Sequence, residues 1–133
     1  MSVAFLEQIN WSDDGLVPVI TQDYESRRIL TQAWTNREAL GLAVAEKRAI
    51  YWSRSRQALW RKGEESGNIQ ELVDVYLDCD NDSICYLVKQ IGGIACHTGR
   101  ESCFHQQLVN GEWLTVDPVL RDPNEMYTNK QSR

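Results

Sequence analysis

Val73, Val75 and Leu77 alternate with Asp74, Tyr76 and Asp78. Alternation with a period of two puts successive side chains on opposite faces, so this stretch reads as a half-buried strand, and such a strand folds only beside others. Further candidates lie at 16–22, 29–34, 49–53 and 84–90, with residues 23–28 as a polar turn. Asn110-Gly111 joins 104–109 to 112–116 with a two-residue hairpin signal. Pro18 has no N–H to give to a ladder and assigns its strand to a sheet edge. Thr35 followed by Glu38 fits a capping box, and Ala39, Leu40, Ala43 and Val44 have helical spacing, which predicts one principal helix over 36–47. Residues 3–9 supply one or two further helical turns. The fold class is α+β, dominated by strands in a curled, largely antiparallel sheet.

A chain of 133 residues fits a single domain, 1–133, with a loose tail from about 124 to 133. With 42% hydrophobic and 25% charged residues it has the composition of an ordinary globular protein. The start MSVAFLEQINW lacks a basic region and carries Glu7 within its apolar stretch, unlike a signal peptide. No apolar run approaches the roughly 18 residues of a membrane span. The expected location is the cytoplasm, where the four cysteines stay reduced and are better read as metal-binding or catalytic than as a disulfide framework. A net charge of −5 argues against general nucleic-acid binding.

Cys96-His97-Thr98-Gly99-Arg100-Glu101-Ser102-Cys103 sets two thiols around a glycine turn with an imidazole beside the first. Thiolate and imidazole suit tetrahedral zinc, and Cys79 is the natural third protein ligand. Cys85 sits inside an apolar strand and reads as an ordinary core thiol. Asp78, Asp80 and Asp82 alternate; in an extended segment their carboxylates share one side, suited to magnesium or manganese, whereas the plain alternative is a solvated Asp/Asn-rich turn. The same alternation turns Cys79 away from them, which favours two metal sites over one.

Arg54, Arg56, Arg61 and Lys62 are concentrated in a polar, glycine-containing stretch, 54–68, expected to be one long exposed loop. Guanidinium forks, hydroxyls and glycines together point to phosphate. Trp52 or Trp60 offers a stacking face for a base, although tryptophan is more often core.

The stretches Tyr51-Trp52-Ser53-Arg54-Ser55-Arg56, Leu59-Trp60-Arg61-Lys62-Gly63-Glu64, Ser66-Gly67-Asn68, Leu77-Asp78-Cys79-Asp80, Ala95-Cys96-His97-Thr98-Gly99-Arg100 and Ser102-Cys103-Phe104 resemble the phosphoribosyl-AMP cyclohydrolases, over about residues 10–127. The resemblance implies a mixed sheet folded into a pseudobarrel and a homodimer with zinc at the interface, held by Cys79 of one subunit and Cys96 and Cys103 of the other. It also implies magnesium at Asp78, Asp80 and Asp82. Some relatives carry a fused phosphoribosyl-ATP pyrophosphohydrolase; no room for one follows Tyr127 here, so that activity is expected on a separate protein. Glu101 and His105 depart from the family pattern and leave the implied ligands untouched.

The implied reaction belongs to L-histidine biosynthesis. Zinc-activated water attacks C6 of an adenine whose N1 carries phosphoribose, and the N1–C6 bond breaks to give an imidazole carboxamide ribotide. His97 is the expected proton carrier. Trp52, Arg54, Arg56, Lys62, Ser66, Asn68, Thr98, Arg100 and Ser102 are the expected contacts to phosphate, ribose and base. The rival reading is a dimeric nucleotide-binding module stapled by a structural zinc; three cysteines without a firm fourth ligand favour the enzyme, because structural sites are normally closed by four.

Overall fold

A computed structural model describes residues 3–126. Six strands form one sheet: β1 (Val17–Asp23), β2 (Ile29–Thr35), β3 (Ile50–Ser53), β4 (Ala58–Arg61), β5 (Gln70–Leu77) and β6 (Ile84–Gln90). Their spatial order is β4-β3-β2-β1-β6-β5, and only β1 and β6 run parallel, so the sheet is mixed and largely antiparallel. A separate hairpin, β7 (Gln106–Val109) and β8 (Glu112–Thr115), turns at Asn110 and Gly111, both with positive φ. This is the turn geometry that matches strand twist.

The sheet curls until its two ends meet. The chain entering β3 pairs with the start of β5: Leu72 N–H donates to Lys47 O, Ala49 N–H donates to Gln70 O, and Arg48 bridges Glu71. The result is half of a barrel. Val17, Val19, Tyr51, Ile84, Tyr86 and Val88 fill its inside, and helix α2 (Arg37–Glu46) lays Ala39, Leu40 and Ala43 across one end with Leu6 of the short helix α1 (Ala4–Glu7). Each large aliphatic side chain buried there contributes about 1.5–3 kcal/mol relative to exposure.

A line of polar side chains crosses this core. The Thr21 and Tyr51 hydroxyls lie 2.6 Å apart, Tyr51 donates to Gln70 Oε1 at 2.5 Å, Gln70 donates to Gln90 Oε1 at 2.8 Å, and Gln90 donates to Asn68 O at 3.0 Å. Each buried group is thereby satisfied, which such groups require. Burial pushes the Tyr51 phenol far up, so it remains protonated and able to donate.

Four expectations are corrected. β1 is central, not an edge: Pro18 opposes Trp34 on β2, but the ladder to β6 begins only at Val19, so the missing N–H falls where β6 asks for none. Helix α2 is capped by Asn36, whose side chain accepts from Ala39 N–H at 2.8 Å; Thr35 is the buried last residue of β2, and the helix ends at Glu46. The stretch 54–68 is not one loop, because β4 pairs residue for residue with β3. Residues 123–126 form helix α3 (Pro123–Met126), anchored by buried Met126, whose Sδ accepts from Asn68 Nδ2; the rest of the expected tail lies outside the described residues.

Replacing Tyr51 with Phe strands the Gln70 acceptor inside the core. The expected loss is about 1–3 kcal/mol of unfolding free energy, read from urea denaturation, with an unchanged far-ultraviolet spectrum.

Candidate active site

Residues 94–105 follow β6 and fold back along the free edge of β2 that β3 does not reach. Cys103 N–H donates to Leu30 O at 2.7 Å, and the fully buried Ser102 hydroxyl donates to Ile29 O at 2.7 Å while accepting from Phe104 N–H. The Ser102 hydroxyl therefore pins the loop to the sheet. Within the loop Ala95 N–H pairs with Glu101 O, Cys96 N–H with Arg100 O, and Gly99 N–H with Cys96 O. Gly99 has φ +85 and lies so close to Arg121 O that a Cβ would sit 1.9 Å from it, so no other residue fits this turn. Arg28 clamps the outside, paired with Glu101 and Asp117, and Arg100 Nε donates to Asp117 O.

This turn brings two of the three candidate zinc ligands together. Cys96 is buried and its Sγ lies 3.0 Å from Thr98 Oγ1. Cys103 is exposed as a residue, yet its thiol faces Thr31, Cys96 and Lys62; burial pushes that thiol up, while the Thr31 hydroxyl and the Lys62 charge draw it down. Lys62 is only 8% exposed and donates from Nζ to Ala95 O at 2.5 Å, with the Trp60 ring centroid 5.0 Å away. Burial pushes its ammonium down, and the Cys103 and Cys96 charges act in the opposite direction. His97 points outward beside Cys96.

Cys79 stands elsewhere, exposed on the turn between β5 and β6. The row Leu77–Ile84–Val19–Ala33 crosses the sheet; Leu30, which holds Cys103, lies three residues to one side of it, and Cys79 lies two residues beyond Leu77 on the other. Five steps of about 3.3 Å put the two on the order of 16 Å apart. Thiols that far apart in one chain do not share an ion.

Asp78, Asp80 and Asp82 occupy the same turn as Cys79, all exposed, with one carboxylate oxygen of each within 4.8 Å of the others. The group is one that could hold a metal. The local structure is a turn rather than an extended segment: Asn81 has φ 61, and Asp78 Oδ1 accepts from the N–H groups of Asp82 and Ser83. Partial desolvation and the charges of Asp78 and Asp80 push the Asp82 carboxyl up. Asn10 braces the turn from outside, its N–H donating to Asn81 O and its side chain to Asp80 O.

The remaining candidates divide by exposure. Arg54 and Arg56 ride the tip of the β3–β4 hairpin, with the Arg54 guanidinium 4.3 Å above the Trp34 ring, and Trp34 opposes Trp52 across β2 and β3. Ser66 caps Asn68 N–H in the turn before β5, and Asn68 is buried. Cys85 is half buried, and burial raises its thiol. Thr31 and Trp34 escaped sequence reading, since either residue type is ordinary in a strand.

The phosphoribosyl-AMP cyclohydrolase family model matches residues 31–105, a span that contains every one of these side chains except Asn10 and the Arg28–Asp117 clamp. The phosphoribosyl-AMP cyclohydrolases of Pseudomonas aeruginosa and Stutzerimonas stutzeri are each 61% identical over 123 residues, 92% of this chain and 92% and 94% of theirs. That of Pseudomonas entomophila is 60% identical over 124 residues, 93% of this chain and 95% of its own. Identity at that level over 92% of the chain, together with the family-model match, means that the chain belongs to the phosphoribosyl-AMP cyclohydrolase family.

Proposed function

We propose that this enzyme opens the adenine ring of phosphoribosyl-AMP at a zinc site shared between two copies of the chain. The observation that carries this reading is the pairing of Cys96 with Cys103 on one loop while Cys79 stands at the far end of the sheet. Two clustered thiols and a third at a distance make a three-ligand zinc site once a second copy brings its Cys79 to the pair. Soft thiolates suit zinc, and the reducing cytoplasm keeps them available. When bound, zinc supplies Lewis acidity that makes water nucleophilic at neutral pH.

Exposed apolar side chains support a second copy. Phe104, Leu108, Trp113, Leu114, Val116 and Leu120 are each 45–66% exposed on the β7–β8 hairpin and the segments flanking it. Apolar groups this concentrated mark an association surface.

Each group has its share of the chemistry. Arg54, Arg56 and Arg100 offer guanidinium groups, and Ser66, Asn68 and Thr98 polar groups, to the two phosphates and riboses; the Trp52–Trp34 pair offers an aromatic face to the base. Asp78, Asp80 and Asp82 hold magnesium, which orients a phosphate. Water oxygen bonds to C6 and becomes the carboxamide oxygen, the N1–C6 bond breaks, and His97 carries the proton to N1. The substrate is the product of a preceding pyrophosphohydrolase step.

Absorbance during incubation of the zinc-loaded protein with phosphoribosyl-AMP tests the activity: loss of the purine chromophore supports it, and an inert, folded, zinc-loaded dimer defeats it. His97→Asn is expected to lower kcat by about 100-fold or more with zinc content unchanged, in line with loss of a general acid–base. Zinc lost in parallel would make His97 a ligand instead. Magnesium is expected to raise the thermal midpoint of the wild type and leave that of Asp80→Asn unmoved, measured by differential scanning fluorimetry.

A further inference from the structure

Lys62 lies in the basic stretch that the sequence assigns to phosphate, but the fold sets it apart from its neighbours. Its neighbours Arg54 and Arg56 are exposed, whereas Lys62 is nearly buried. Three contacts fix it. Lys62 N–H donates to Ala49 O, so its backbone belongs to the closure of the sheet; Nζ donates to Ala95 O, the carbonyl immediately before Cys96; and the Trp60 ring flanks the ammonium at 5.0 Å. The side chain is spent on the cysteine loop. The Ala95 carbonyl belongs to the residue before Cys96, and the charges that act on the ammonium are those of Cys96 and Cys103.

We infer that Lys62 is a positioning residue of the thiol pair: its ammonium, tethered to Ala95 O, holds Cys96 in place and offsets the negative charge that two adjacent thiolates build up. This deepens the zinc reading above and rests on it. Two thiolate ligands side by side repel each other, and a cation held beside them at Ala95 O offsets that repulsion. The ammonium lends no electron pair to the metal. Lys62 therefore acts through Cys96 and Cys103 and sets how tightly the pair holds zinc, with no contact to substrate phosphate.

The test compares the wild type with Lys62→Met, which keeps the stem and removes the charge, and Lys62→Gln, which keeps a donor for Ala95 O and also removes the charge. Zinc affinity is measured by competition with a chromophoric chelator on folded protein, and KM for phosphoribosyl-AMP is measured at saturating zinc. Expected are a zinc Kd weakened at least tenfold in both variants and KM within twofold of wild type. Unchanged zinc affinity with a raised KM would overturn the inference and return Lys62 to the phosphate. Should neither neutral variant fold, Lys62→Arg retains the charge and is expected to bind zinc within threefold of wild type; a tenfold loss there overturns the inference. A folded wild type that binds no zinc would instead sink the underlying zinc reading, so the two failures are distinguishable.

Discussion

The backbone hydrogen bonds between residues 47–49 and 70–72 are what the rest of the molecule depends on. They bend an otherwise open six-stranded sheet round until its ends meet, and the enclosed space is then deep enough to bury Tyr51, Tyr86 and Gln70 completely. The same closure carries β4 with it, because Lys62 N–H pairs with Ala49 O. That single link sends the Lys62 side chain inward to Ala95. The polar line from Thr21 through Tyr51, Gln70 and Gln90 runs to the Asn68 backbone and braces the turn on the other side of the closure. Shape and site are thus built from the same few contacts.

Electrostatics divides the site between the two ends of the sheet. The cysteine loop end sets a nearly buried ammonium against two thiols. The other end, the turn from Asp78 to Asp82, is exposed and crowded with like charge; partial desolvation and that charge push the Asp82 carboxyl up. In the proposed dimer the cysteine loop of one copy meets the Cys79 turn of the other, so water activation and phosphate binding converge at one place.

Much of this could be read from residues alone. The alternation of Val75 and Leu77 with Tyr76, the Asn110-Gly111 turn and the apolar run 84–90 each carry a local signal strong enough to survive folding. The approach of Cys96 to Cys103 was legible because a glycine turn between two thiols can fold them onto one side. What escaped was set by tertiary contact. Pro18 marks an edge by its own chemistry and was overridden by where β6 begins. Strand β4 is four residues long, too short for periodicity to declare, and exists because β3 lies beside it. Lys62 and Ser102 look like surface ligands in a polar stretch; their burial depends on a closure and an edge that no window of sequence contains. Asn36 took the helix cap from Thr35 because Thr35 is still in a strand.

The shared site is the central claim, and subunit mixing tests it most directly. Cys79→Ala and Cys103→Ala are each prepared as folded dimers in zinc-containing buffer, assayed alone, and assayed again after subunit exchange at equal concentration. Neither variant alone has an intact site, so both are expected to be inactive. In the mixture half the dimers combine one of each subunit, and each such dimer has one intact site, so about a quarter of wild-type activity is expected to return. Mixing that exchanges subunits and restores nothing would contradict the account, as would full activity in the Cys79→Ala variant alone.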